Sequence, residues 1–106
     1  VRRGEIWWAE LESPAGRRPV VLLSRDEAYA VRSLVIVAPV TTRVRSIPAE
    51  VSLTVEDGVP QECVVNLDTI TTIPKDCLRS RLTTLRPNKL REVEEAIRFV
   101  LDLEHR

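Results

Sequence analysis

The apolar residues of this chain change their period once, at Pro87. Beyond it Leu90, Val93, Ile97, Val100 and Leu101 recur at three- and four-residue spacing, which places them on one α-helical face. Pro87 suits a first helical turn, where no amide donor is required. Glu92, Glu94 and Glu95 lie toward the N-terminal side, as the helix dipole favours, and Thr84 is a candidate cap further upstream. Before Pro87 every apolar run is short, β-branched and closed by turn residues. Strands are expected at Glu5–Leu11, Pro19–Leu23, Leu34–Thr41, Glu50–Val55, Cys63–Ile73 and Arg79–Leu85. Pro19–Leu23 is continuously apolar and should be buried on both faces. Pro39 implies an edge or a bulge in the third strand. Asp26–Ser33 has no strong period and reads as a loop with one or two helical turns. Short strands with one terminal helix predict a mainly β fold, a compact SH3-like barrel of about six strands capped by the C-terminal helix.

A chain of 106 residues is enough for a single domain spanning 1–106 and leaves much surface per unit of core, so self-association is a natural way to bury more. No apolar stretch is long enough for a transmembrane span. The opening Val1-Arg2-Arg3-Gly4-Glu5 lacks the apolar core of a secretory signal, so a cytoplasmic location is expected. Cys63 and Cys77 are the only cysteines. Two free thiols in a reducing compartment are favoured over one disulfide between them. Net charge is zero, but residues 1–45 carry eight Arg against five acids, while the remainder carries eight basic against eleven acidic residues. A local basic footprint is therefore compatible with overall neutrality.

Elimination narrows the chemistry. The single histidine, His105, reads as a solvated tail residue and excludes a two-histidine acid–base pair within one chain. The carboxylates are scattered, two thiols cannot complete a zinc site, and phosphate-binding glycine loops are absent, so neither metal nor cofactor is expected. An enzyme with this inventory must work through arginine, hydroxyl and backbone groups. RNA phosphodiester cleavage suits such a set, because the 2′-OH is an internal nucleophile that needs only orientation and charge stabilisation. The candidates are Arg17, Arg18, Arg25 and Arg43 at strand ends, with Thr41 and Thr42 closing the third strand. Taken alone, strand-end Arg and Thr are usually structural.

Four blocks in order sharpen this reading. Arg3-Gly4-Glu5-Ile6-Trp7-Trp8 resembles the opening of MazF/PemK toxins. Gly16, Arg18-Pro19-Val20-Val21 and Ser24-Arg25-Asp26 are similar to their second block, and Val37-Ala38-Pro39-Val40-Thr41 to their third. Val64-Val65-Asn66-Leu67-Asp68-Thr69-Ile70-Thr71-Thr72-Ile73 looks like the fourth. The resemblance implies a MazF/CcdB-like fold and a homodimeric, sequence-specific endoribonuclease that cuts single-stranded RNA, leaves a 2′,3′-cyclic phosphate and is restrained by a cognate antitoxin. The family's catalytic arginine falls on Arg18 and its catalytic threonine on Thr41. Arg17, Ser24, Arg25, Thr42, Arg43, Asp68 and Thr69 are the expected RNA contacts.

Departures from the family pattern leave the cleavage motif open. The Glu12–Arg17 loop is short, Thr69 and Thr71 stand where Gln and Arg are usual, and Glu27-Ala28-Tyr29 lacks the usual Asn. Asp68 is either an acceptor for a base edge or a strand residue paired with an arginine. Trp7 and Trp8 could stack on bases, but the structural reading is favoured for both, one in the core and one at a surface or dimer seam. A CcdB-like gyrase inhibitor, acting by protein binding through the terminal helix, is the rival. The ending Leu103-Glu104-His105-Arg106 lacks the apolar Trp-Gly-Ile associated with that group.

Overall fold

A computed structural model describes residues 1–103; His105 lies outside the described residues. The elements run β1 (Glu5–Glu10), β2 (Arg17–Leu22), α1 (Ala28–Val31), β3 (Leu34–Thr41), β4 (Glu50–Leu53), β5 (Cys63–Asn66), β6 (Thr71–Pro74), β7 (Leu78–Thr84) and α2 (Pro87–Val100). The seven strands form one antiparallel sheet in the order β4-β5-β3-β2-β1-β7, with β6 also paired to β3. The fold is mainly β, as expected, but the barrel is not closed by a strand ladder. The gap between the end strands β4 and β7 is instead bridged by the turn that follows β4. There Thr83 Oγ1 donates to the Asp57 carbonyl at 3.2 Å, and Arg86 Nη2 donates to Asp57 Oδ1 at 3.0 Å.

β2 alternates between two cores, as its continuous apolarity requires. Val20 and Leu22 face a cluster with Ala9, Tyr29, Val35, Val37 and Ile73. Val21 and Leu23 face the other, with Ile6, Val65, Leu67, Val93 and Ala96. Helix α2 covers that second cluster through Val93 and Ala96, with Leu90, Ile97 and Val100 packed against its margin. Leu101 sits past the helix and is 56% exposed, so the expected stripe ends one residue early. Thr84 is the last residue of β7 rather than a cap; Arg86 occupies the N-cap without a side-chain bond, and Pro87 opens the helix. The glutamates lie beyond the first turn, and Glu94 pairs with Arg3 at 2.8 Å.

Two sequence expectations are corrected in the sheet. Cys63–Ile73 is not one strand: the 3₁₀ turn Leu67–Thr69 divides it, because Asn66 Oδ1 accepts the Asp68 amide at 2.9 Å and turns the backbone out of the ladder. β5 then pairs with the end of β3 and β6 with its start. Pro39 lies in a central strand, not at an edge. It is tolerated because β6 pairing stops at Val37 and β5 pairing begins at Val40, leaving no ladder to interrupt on that side. Cys63 and Cys77 are both free thiols. Among the described residues no helix is long and apolar enough to cross a membrane.

Candidate functional site

The break in the ladder around Pro39 opens a cleft of about 470 Å³, lined by Arg18, Pro39, Thr41, Arg43, Arg45, Asn66 and Thr69. β2 supplies Arg18, the end of β3 supplies Thr41, and the loop that follows supplies Arg43 and Arg45. Asn66 closes β5, and Thr69 lies on the turn after it. Among the described residues three guanidiniums and no carboxylate line the cleft, which concentrates positive potential there on a chain of zero net charge.

Arg18 is half-buried, and its Nε–H is buried without a hydrogen-bond partner among the described residues. A buried donor left unpaired carries a desolvation cost that an acceptor entering the cleft would relieve. Thr41 Oγ1 accepts the Arg43 amide at 3.1 Å, which leaves its own O–H free to donate. The loop carrying Arg43 and Arg45 is braced from below. Glu50 Oε1 accepts the amides of Arg45 at 2.9 Å and Ser46 at 3.0 Å, with Ser46 in the left-handed region at φ 58°. Glu50 thus fills a small nest of backbone donors and sets where the two arginines leave the backbone.

The structure brings together Arg18, Thr41, Arg43 and Thr69 from the sequence candidates. Thr42 lines a neighbouring apolar pocket instead. Arg17, one residue before Arg18, points the other way and lies over the Trp8 ring, its guanidinium carbon 5.0 Å from the centroid. Ser24 is buried and its Oγ accepts the Ile36 amide at 2.8 Å, a structural bond that keeps it from the cleft. Arg25 and Asp68 are exposed outside the lining, and Asp68 pairs with no arginine among the described residues. Arg45, Asn66 and Pro39 were not among the candidates. The Arg43-x-Arg45 spacing was the available signal for the first, since alternate positions on an extended segment share a side.

The two tryptophans part company. Trp7 Nε1–H donates to Glu5 Oε1 at 2.9 Å and the ring packs on the core of Ala9, Val20 and Leu22, a structural role as expected. Trp8 lines the apolar pocket of about 130 Å³ with Pro19, Val40, Thr41, Thr42, Val59, Pro60, Gln61 and Cys63. Among the described residues no three His, Cys, Asp or Glu side chains gather as a metal site would require.

The fold and site define a class: a small antiparallel β scaffold with an arginine- and threonine-lined cleft at the ends of β2 and β3. Comparison with known proteins gives that class its family. The sequence model described as the PemK-like, MazF-like toxin of type II toxin–antitoxin systems matches residues 2–101. The chain is 44% identical over 100 residues to the probable endoribonuclease MazF2 of Mycobacterium tuberculosis, covering 92% of this chain and 95% of that protein. It is 39% identical to the probable endoribonuclease MazF5 of the same organism, covering 94% and 92%. The fold superposes on the M. tuberculosis toxin MazF-mt6 with a TM-score of 0.87 at 33% identity, covering 95% and 99% of the two chains. It also superposes on the Deinococcus radiodurans MazE–MazF structure with a TM-score of 0.80 at 28% identity, covering 95% and 94%. The chain belongs to the PemK/MazF toxin family.

Proposed function

We propose that this toxin is an endoribonuclease that cuts single-stranded RNA through the 2′-OH, without a metal ion, with Arg18 and Thr41 as its catalytic residues. The observation that carries the reading is the shared cleft: Arg18, with an unpartnered buried Nε–H, and Thr41, with a free hydroxyl proton, line the same wall. The endoribonuclease names of the MazF2 and MazF5 relatives support the same activity.

The scissile phosphate binds with its non-bridging oxygens on Arg18 and the Thr41 hydroxyl. The 2′-oxygen attacks phosphorus and the P–O5′ bond breaks, giving a 2′,3′-cyclic phosphate and a 5′-hydroxyl. The proton leaving the 2′-OH passes to water, and the departing 5′-oxygen takes up one from Arg18, which water then reprotonates. Arginine is a poor general base, so its principal contribution is electrostatic: it holds the charge that develops on the phosphorane. Arg43 and Arg45 hold the flanking backbone, with Asn66 and Thr69 along the path of the strand. The remaining sequence candidates, Arg17, Thr42, Ser24, Arg25 and Asp68, lie outside this cleft.

The protein acts in the cytoplasm as a homodimer, restrained by a cognate antitoxin whose acidic segment competes for the arginines. Exposed Val31, Leu34 and Ile36 are apolar surface that a second copy would bury. The gyrase-inhibitor reading loses ground to the family match and to the cleft, which it leaves without a use. The test is incubation of purified protein with a long RNA in excess EDTA, followed by end mapping. Cyclic phosphate and 5′-hydroxyl ends are expected; a requirement for divalent metal, or 5′-phosphate ends, overturns the mechanism.

A further inference from the structure

We propose that the apolar pocket beside the cleft seats one nucleobase of the RNA, next to the scissile phosphate, with Trp8 as its stacking wall and Gln61 as the reader of its edge. The proposal rests on the endoribonuclease reading and adds to it the place where sequence is discriminated.

Three observations select the occupant. The pocket adjoins the cleft around the end of β3, where Thr41 is a lining residue of both. Whatever fills the pocket therefore sits one side chain from a site for an anion, as a base sits beside its own phosphate. The walls are the ring of Trp8 and the aliphatic surfaces of Pro19, Val40, Val59 and Pro60, which favour a flat apolar group over a charged or strongly hydrated one. The polar lining side chains include the amide of Gln61, which is exposed, and the Thr42 hydroxyl. A carboxamide carries a donor and an acceptor side by side and can match a base edge bidentately. A plain aliphatic side chain would satisfy the walls but leave Gln61 without a role.

The neighbouring groups fit the same occupant. Trp8 and Pro19 are only half-buried, so the pocket is open to solvent rather than a void in the core. Arg17 lies over Trp8 with its guanidinium carbon 5.0 Å from the ring centroid, and Arg17 is itself exposed. It presents a cation at the lip, where the strand's next phosphate would pass. The chain geometry that makes the pocket is local. Gly58, at φ 98°, turns the backbone so that Val59-Pro60-Gln61 faces β2 and β3, and its missing Cβ leaves room for Thr83, the close contact any larger residue would strike. By contrast Thr71, one of the positions where the family pattern departs, is exposed on β6 and lines neither pocket nor cleft. Discrimination at the pocket is thereby assigned to Gln61 and Trp8 rather than to Thr71.

The test sequences the cut ends from a random RNA pool for wild type, Gln61→Ala, Gln61→Glu and Trp8→Phe. Gln61→Ala is expected to lower the preference at one position adjoining the cut by about tenfold or more, with the other positions unchanged. Gln61→Glu should change which base is preferred there, and Trp8→Phe, which keeps a stacking face, should retain the motif. A second readout does not depend on cleavage. In a Trp7→Phe protein, where Trp8 is the sole indole, a 2′-deoxy oligonucleotide should quench the emission, and an abasic strand of equal length should not. Failure of wild type to cut any RNA defeats the endoribonuclease reading itself. Cutting with the same motif in Gln61→Ala and Gln61→Glu, or equal quenching by the abasic strand, leaves that reading standing, assigns the pocket to another occupant such as a protein side chain, and overturns this proposal.

Discussion

Strand β1 has an arginine-bearing neighbour on each side, and the arginines behave in opposite ways. On the β2 side, among the described residues, Arg18 enters a cleft with no carboxylate in its lining and keeps a buried Nε–H without a partner. On the β7 side, Arg81 Nη1 donates to Glu5 Oε2 at 3.3 Å, and just beyond the strand Arg86 donates to Asp57 Oδ1 at 3.0 Å. Both of those carboxylates are buried. Burial pushes the Glu5 carboxyl upward, but bonds from Trp7, the Arg2 amide and Arg81 outweigh it and hold it below its ordinary value. Asp57 is likewise raised by burial and lowered further by the Thr54 amide and Arg86. The same residue type thus serves architecture where a buried acid neutralises it and stays available to a ligand where none does. Placement of the acids, more than placement of the arginines, separates the two regions.

The sharpest way to break this contrast is to remove the cleft arginine. Arg18→Ala should lower kcat by about 10²–10³-fold, the usual loss when one donor to a developing oxyanion is deleted. Its effect on stability should stay within about 0.5 kcal/mol, because no folded-state partner is left unpaired. Arg18→Lys should also be strongly impaired, since a point charge cannot reproduce the planar fork. RNA cleavage rates set beside urea unfolding separate the two effects. Near-normal cutting by either variant would move the catalytic site elsewhere.

The mirror experiment is Asp57→Ala. Asp57 Oδ2 accepts the Thr54 amide at 2.9 Å in a capping box, and Asp57 Oδ1 holds Arg86 across the open side of the sheet. Losing a cap and a charge-assisted bond together should cost about 2 kcal/mol in urea unfolding, with cleavage per folded molecule unchanged. The same group gives a pH signature. Its folded-state pKa lies below its unfolded one, so the stability it contributes is complete above the unfolded pKa. That stability is lost as pH falls below about 4 and the carboxylate protonates. The wild type should therefore lose stability with falling pH more steeply than Asp57→Ala, and parallel acid profiles would remove Asp57 from the account.

How much of this was legible in the sequence follows the range of the interactions. Period and β-branching place β1, β2, β3 and α2 within a residue or two, because each presents a repeating apolar face. The division of Cys63–Ile73 was hidden, since it depends on one Asn66 side chain competing with the ladder inside an otherwise strand-like run. Open or closed barrel was hidden too: the outcome turns on whether β4 meets β7, a contact between residues far apart in sequence. Arg18, Thr41 and Arg43 could be nominated from their strand-end positions and the family blocks. Ser24 came from the same blocks and Arg17 from its strand-end position, yet a buried hydroxyl bond and the two-residue alternation of β2 take them from the cleft. Glu50 could not be found, because its role is to accept two amides from a loop with no periodic pattern.

Glu50 offers a smaller, more selective perturbation within the cleft region itself. Glu50→Ala frees the Arg45 and Ser46 amides and lets the arginine-bearing loop wander, so KM for RNA should rise by about tenfold while kcat changes little, the pattern of lost uniform binding. Glu50→Gln keeps an acceptor for both amides and should restore most of the affinity. In a background already lacking the Arg43 and Arg45 side chains, Glu50→Ala should add little, since residues acting through one another are not additive. Additive losses would instead mark a general destabilisation of β4.

The smallest expected effect is on the far side of β1, and it tests whether pairing with a buried acid is enough to make an arginine structural. Arg81 is 58% exposed at its side chain, so its attraction to Glu5 is screened by water and salt. Glu5 is not stranded when Arg81 is cut back to alanine: the Arg2 amide at 3.0 Å and the Trp7 indole at 2.9 Å still donate to Oε1. Arg81→Ala should therefore cost under about 1 kcal/mol, and the difference from wild type should shrink toward zero in molar salt. Trp7→Phe removes a neutral donor to the same carboxylate, and that loss should persist in salt. Urea midpoints for both variants at low and high ionic strength read this out. A loss from Arg81→Ala that exceeds the one from Trp7→Phe and survives high salt would show that Glu5 depends on the guanidinium itself. The contrast between the two sides of β1 would then rest on net charge rather than on hydrogen-bond supply.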